Sequence, residues 1–150
     1  MAKLASFVAF VLLVVSVASF ASGFAPGYWY LDLPKPDWTP GSWIFLPVWS
    51  VLYACIAVAG WLAWCSGRAM APLAFWGIGL LLNGAWSWLF FGLHRIDLAM
   101  IDLVALWGAI IGFVTTVRRQ SQVAALLFLP YLVWVTYVAV LTFAIWRMAV

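Results

Sequence analysis

Residues 123–146 read VAALLFLPYLVWVTYVAVLTFAIW. No charge interrupts the stretch, and Arg147 closes it. Crossing a hydrocarbon core of about 30 Å takes about 20 apolar residues in a helix, so this run is read as a membrane span. Working back along the chain, four more runs have the same character, at Asp97–Val117, Ala71–Phe91, Trp43–Trp64 and Leu4–Phe24. Charges punctuate them, with Arg68, His94-Arg95 and Arg118-Arg119 each in a short connection that forces antiparallel neighbours. None of the runs alternates in polarity as barrel strands do. Helices satisfy their own backbone hydrogen bonds in lipid. The expectation is an all-α, multi-pass integral membrane protein, a bundle of five transmembrane helices forming one domain over residues 1–150.

Composition agrees. Of 150 residues, 69% are hydrophobic and 7% charged, against about 25% charged in soluble domains. Mean hydropathy is +1.15. A surface facing lipid needs few charges. The net charge of +3 is scattered, with no basic stripe for nucleic acid. Lys3 and the small residues Ala18, Ser19, Ala21 and Ser22 give the first run some signal-peptide character. Its apolar stretch exceeds a usual signal core, so a retained helix is expected. An odd number of spans puts Lys3, Arg68, Arg118 and Arg119 on one side and Lys35, Arg95 and Arg147 on the other. Four against three favours a cytoplasmic N-terminus. Cys55 and Cys65 lie about 15 Å apart along one helix, too far to pair with each other.

The longest connection, 27–43, reads GYWYLDLPKPDWTPGSW. Pro34, Pro36 and Pro40 fix their own φ and push their predecessors toward extended geometry. A flexible linker would be rich in Gly and Ser. This one is stiff and aromatic, and is expected to be an ordered, Trp/Pro-rich lid across one end of the bundle, or an interfacial aromatic belt, or both. Twelve tryptophans are present. Trp29, Trp38, Trp43, Trp64 and Trp146 lie near interfaces, where the belt explains them. Trp49, Trp61, Trp76, Trp86, Trp88, Trp107 and Trp134 lie deeper. A buried indole N–H wants an acceptor, so some of these should face inward. They either fill gaps between helices or wall a site for a large flat apolar ligand.

Polar residues within spans are few. Asn83 and Ser87 share a helical face. Asp102, about a turn and a half into its span, is expected to bond a neighbour such as Asn83 or Arg95, and Asp97 to cap the helix start. Gly108 and Gly112 form a GxxxG for close helix approach, and Pro47 and Pro130 are placed near helix starts, where proline is tolerated. His94 has no partner at metal-ligand spacing, so no metal site is expected. The chain has no glutamate and no nucleophile paired with a histidine. No required cofactor and no conventional catalytic constellation is read.

In order along the chain, Trp29-Tyr30, Leu33, Lys35-Pro36, Trp38 and Pro40, then Val48-Trp49, Leu52-Tyr53, Leu82-Asn83, Trp86-Ser87, Phe90-Phe91-Gly92, Asp102, Leu106-Trp107 and Pro130-Tyr131-Leu132 with Trp134 resemble the TspO/MBR family. These are the tryptophan-rich sensory proteins related to the translocator protein, or peripheral-type benzodiazepine receptor. The resemblance spans residues 26–147. It implies a five-helix bundle, commonly a homodimer, whose first loop closes a cavity that takes porphyrins such as protoporphyrin IX or related heme-like tetrapyrroles, benzodiazepine-type ligands and, in some members, cholesterol. The matching ligand positions are Tyr30, Trp38, Pro40, Trp49, Asn83, Trp86 and Trp134. Trp49 and Trp134 also match tryptophans linked to light-dependent porphyrin breakdown. Gly41 stands where family lids often have a second proline, and Thr142 where Asn is frequent. Tyr137 is ten residues from Arg147, so the cholesterol-recognition spacing is absent and a sterol ligand is not favoured. Two functions stay open: a translocator or sensor that binds porphyrin and releases it intact, and, as the alternative, a light-dependent porphyrin-degrading enzyme using Trp49 and Trp134.

Overall fold

The computed structural model describes residues 1–24, 26–67 and 70–149. Five helices are long and apolar enough to cross a membrane. They are α1 (Ala2–Ser22), α3 (Ser42–Cys65), α4 (Met70–Ser87, extended by a π-helical turn over Trp88–Gly92), α5 (Ile96–Val117) and α6 (Gln122–Ala149). A short helix, α2 (Tyr28–Asp32), lies in the first loop. The chain is thus a multi-pass integral membrane protein. Arg68, counted above in the charge balance, lies outside the described residues.

The helices close a ring. α1 packs on α3 and α4, α3 on α6, α6 on α5 and α5 on α4. Small residues bring α3 close to its neighbours: Ala59 and Ala63 are fully buried. Between them, Gly60 leaves room for the Trp76 indole of α4. A Cβ at Gly60 would stand 2.5 Å from that ring and 2.9 Å from Phe10 of α1. Phe10 meets Trp76 edge-on at 5.0 Å, and the Trp76 Nε1–H donates to the Ile56 carbonyl at 2.8 Å. One tryptophan therefore joins three helices. Outward positions such as Leu13, Leu81, Ile101, Val104 and Val133 are apolar and exposed, as a lipid-facing wall requires.

Two packing expectations change. Pro47 and Pro130 lie inside their helices. α6 starts at Gln122, so Pro130 stands more than two turns in rather than near the start. Its ring is exposed on the lipid side, where it crowds no neighbouring helix. Within the bundle only one glycine of the GxxxG pair meets a neighbouring helix. Gly112 faces the Phe75 ring of α4, which a Cβ would meet at 2.5 Å, whereas nothing lies within 4 Å of a Cβ at Gly108.

Candidate functional site

The first loop is tied to itself by one ammonium. Lys35 Nζ donates to the carbonyls of Tyr30, Leu31 and Leu33 at 2.5, 3.1 and 2.9 Å and lies 4.7 Å from the centre of the Tyr30 ring. The end of α2, whose carbonyls lack intrahelical donors, is satisfied in this way. Thr39 closes the following turn by donating from its N–H and its hydroxyl to the Pro36 carbonyl.

Aromatic contacts fasten this loop across the bundle. Trp29 stacks on His94 at 4.2 Å and meets Phe90 edge-on at 5.7 Å. Tyr30 packs against Phe90 and Phe91. Burial, and secondarily neighbouring Tyr137, push the Tyr30 phenol pKa upward. On the far side, the Tyr137 hydroxyl of α6 donates to the Trp38 carbonyl at 3.3 Å, and the two rings lie 6.0 Å apart. The loop thus bridges the end of α4 to α6. The π-helical turn presents Phe90 to it: the N–H of Leu93 reaches back five residues to the Trp88 carbonyl, and Phe90 is turned fully inward. His94 follows in a left-handed conformation, φ 56°.

Beneath the loop, Asn83 is the polar centre. It is 3% exposed. Its Oδ1 accepts from the Tyr53 hydroxyl of α3 at 2.9 Å, and its Nδ2 donates to the Tyr131 hydroxyl of α6 at 3.0 Å. One amide therefore links three helices. Beside it, Trp49, Asn83, Trp86, Leu103, Leu106, Val135 and Val138 line a cavity of about 10 Å³. Trp86 stacks on Phe90 at 5.3 Å, which connects the cavity to the floor of the loop. Trp49 packs against Tyr53 and Tyr131. Trp134 touches Phe45 and Tyr137, and Tyr137 continues to Trp38.

Of the expected ligand residues, Trp49, Asn83 and Trp86 converge on one cavity. Tyr30 reaches it through Phe90 and Trp86, whereas Trp134 and Trp38 belong to a separate aromatic chain through Phe45 and Tyr137 and do not line it. Pro40 is half-buried within the loop. The deep tryptophans divide by their N–H groups. Trp76, Trp61 and Trp107 donate to Ile56, Ser6 and Thr136 respectively. Trp88 and Trp107 face outward rather than in. The indole nitrogens of Trp86 and Trp134 are buried with no partner.

Asp102 departs from expectation. Its carboxyl is 7% exposed and Oδ2 has no partner. Both amide groups of Asn83 are engaged by tyrosines, and Arg95 is held by Asp97 in a two-pronged pair at 2.8 and 2.6 Å. Asp97 itself lies within the first turn of α5, with Arg95 at the cap position. Tyr53, Tyr131 and Tyr137 were not singled out by spacing as site residues. A tyrosine inside an apolar run carries a hydroxyl that needs a partner, and that signal marks all three.

A ring of spanning helices around an aromatic interior, with a proline-stiffened loop packed across one end, defines a multi-pass helical membrane protein. The chain belongs to the TspO/MBR family, whose model matches residues 7–147. It is 37% identical over 131 residues to Protein CrtK of Rhodobacter capsulatus, covering 83% of this chain and 81% of that one. It is 36% identical over 149 residues to Tryptophan-rich protein TspO of Archaeoglobus fulgidus, covering 96% and 95%. It is 34% identical over 124 residues to the human Translocator protein, covering 79% and 73%.

Proposed function

We propose that the chain is a translocator or sensor that binds a porphyrin between Trp49, Asn83, Trp86 and Trp134, with Tyr30, Trp38 and Pro40 closing over it. The observation that carries this reading is the pair of buried indole N–H groups without acceptors at Trp86 and Trp134. An unpaired buried donor costs about 1–3 kcal/mol, and lipid cannot satisfy it. Three other tryptophans, Trp61, Trp76 and Trp107, do find acceptors. Porphyrin carboxylates and ring nitrogens supply what these two lack, and its flat apolar face suits indole walls. Relatives named for translocation and for sensing support the same class of function.

Space adds a condition. A cavity of about 10 Å³ is at the threshold for a single water. Pockets for drug-sized ligands run to about 300–1,000 Å³. Binding therefore requires the loop to lift and Trp86 to swing. The stack of Trp29 on His94 and the bond from Tyr137 to Trp38 are the contacts that must release. Affinity is reduced by the fraction of molecules that are open.

A titration of the detergent-purified protein with protoporphyrin IX in the dark, following the Soret band, tests this. The expected result is a saturable shift, weakened about tenfold or more in Trp86→Phe, with porphyrin recovered intact after extraction. An unchanged titration in Trp86→Phe and in Trp134→Phe would place the porphyrin elsewhere. Repeating the titration under illumination examines the degradative alternative, which requires a new porphyrin spectrum that is lost in Trp49→Phe.

A further inference from the structure

At the opposite end of the bundle from the first loop, the last turn of α5 and the first turns of α6 leave a groove of about 230 Å³. Val114, Ala125, Leu126 and Leu129 form its apolar bed, and Arg118 and Gln122 stand at its mouth. Leu126 and Leu129 are exposed, so the groove opens sideways toward lipid. Arg118 and Arg119 are both exposed. Among the described residues the one ion pair is that of Arg95 with Asp97, so neither arginine at this end is matched by a carboxylate.

The charge of the whole chain is divided in the same sense. Its four carboxylates are Asp32, Asp37, Asp97 and Asp102. Two lie in the first loop and two in the half of α5 nearest that loop. The groove end carries Lys3, Arg118 and Arg119 with no acid, and by sequence Arg68 falls in the connection at this end as well. The loop end balances Lys35, Arg95 and Arg147 with Asp32, Asp37 and Asp97.

We propose that this groove holds an anionic glycerophospholipid, with an acyl chain along Val114, Ala125, Leu126 and Leu129 and its phosphate on Arg118, assisted by the Gln122 amide. An apolar slot at bilayer depth that ends in a guanidinium at the headgroup level matches that molecule part for part. A zwitterionic lipid would fill the slot but bring a quaternary ammonium beside its phosphate, leaving the excess positive charge at this end unbalanced. Free phosphate would answer the charge and leave the slot empty. The site is separate from the porphyrin cavity and does not depend on it.

Native mass spectrometry of the full chain in detergent, with phosphatidylglycerol or phosphatidylcholine added, tests the proposal. Phosphatidylglycerol is expected to remain as a discrete one-per-chain adduct that phosphatidylcholine and inorganic phosphate do not give. At about 1 kcal/mol per basic residue, Arg118→Gln weakens retention about fivefold. Leu126→Trp, which fills the slot and leaves the charge, should weaken it at least as much, and Arg147→Gln at the other end should leave it unchanged. Equal retention of the two lipids would overturn the anionic preference of the site, and equal losses from Arg118→Gln and Arg147→Gln would overturn it in favour of general charge attraction. Wild-type retention in Leu126→Trp would remove the acyl slot from it.

Discussion

Asn83 holds the hydroxyls of Tyr53 and Tyr131 at 2.9 and 3.0 Å, and so joins three helices where no water competes. Hydrogen bonds between helices in lipid contribute on average about 0.6 kcal/mol and at most about 1.7. Asn83→Leu removes two of them and leaves the fully buried Tyr131 hydroxyl without its donor. A loss of about 1–2 kcal/mol is expected, measured by unfolding the protein in mixed detergent micelles. Adding Tyr131→Phe to Asn83→Leu should cost less than Tyr131→Phe alone, because the partner is already gone. At this scale the sequence was informative about which residues matter and poor on what they touch. Asn83 stands out because a polar group is costly in a span, whereas only the family resemblance sets Trp49 and Trp86 apart from the other deep tryptophans. The partner of Asp102 was misjudged because one helix gives no view of the next: the tyrosines that occupy Asn83 come from α3 and α6.

Among the elements, α3 and α5 show how little a glycine motif says without its neighbour. Gly60 is a socket for Trp76, with the ring 2.5 Å from where a Cβ would stand. Gly60→Ala is expected to destabilise the bundle by about 1–3 kcal/mol through overpacking. On α5, Gly112→Ala should lower the thermal midpoint by pressing on Phe75, while Gly108→Ala, with nothing within 4 Å, should raise it slightly, because alanine is the better helix former. Equal effects at the two positions would mean that the GxxxG works as a single seam after all. The spans themselves were legible to within a few residues, since length and the absence of charge fix them. The inward turn of Phe90 was not. A π-helical turn leaves no mark in hydrophobic periodicity, yet here it brings Phe90 against both Trp29 and Trp86.

For the whole molecule, the up-and-down alternation of the five spans puts the carboxylates at one end and unbalanced cations at the other. The count of basic residues alone, four at the groove end against three at the loop end, leads us to expect the groove end in the cytoplasm. Cys65 is exposed at that end, at the close of α3, and Cys55 is half-buried within the same helix. In oriented vesicles a membrane-impermeant maleimide is expected to label Cys65 from the cytoplasmic face alone. Labelling from the outer face alone would invert the assignment. On the proposed function, this closed bundle opens to take a flat tetrapyrrole beneath its first loop. The most direct test is quenching of intrinsic tryptophan fluorescence by protoporphyrin IX in the dark. Saturable quenching is expected in the wild-type protein, with a midpoint shifted to higher porphyrin concentration in Trp86→Phe and in Trp134→Phe. Quenching that rises linearly without saturation, or midpoints identical in all three proteins, would contradict it.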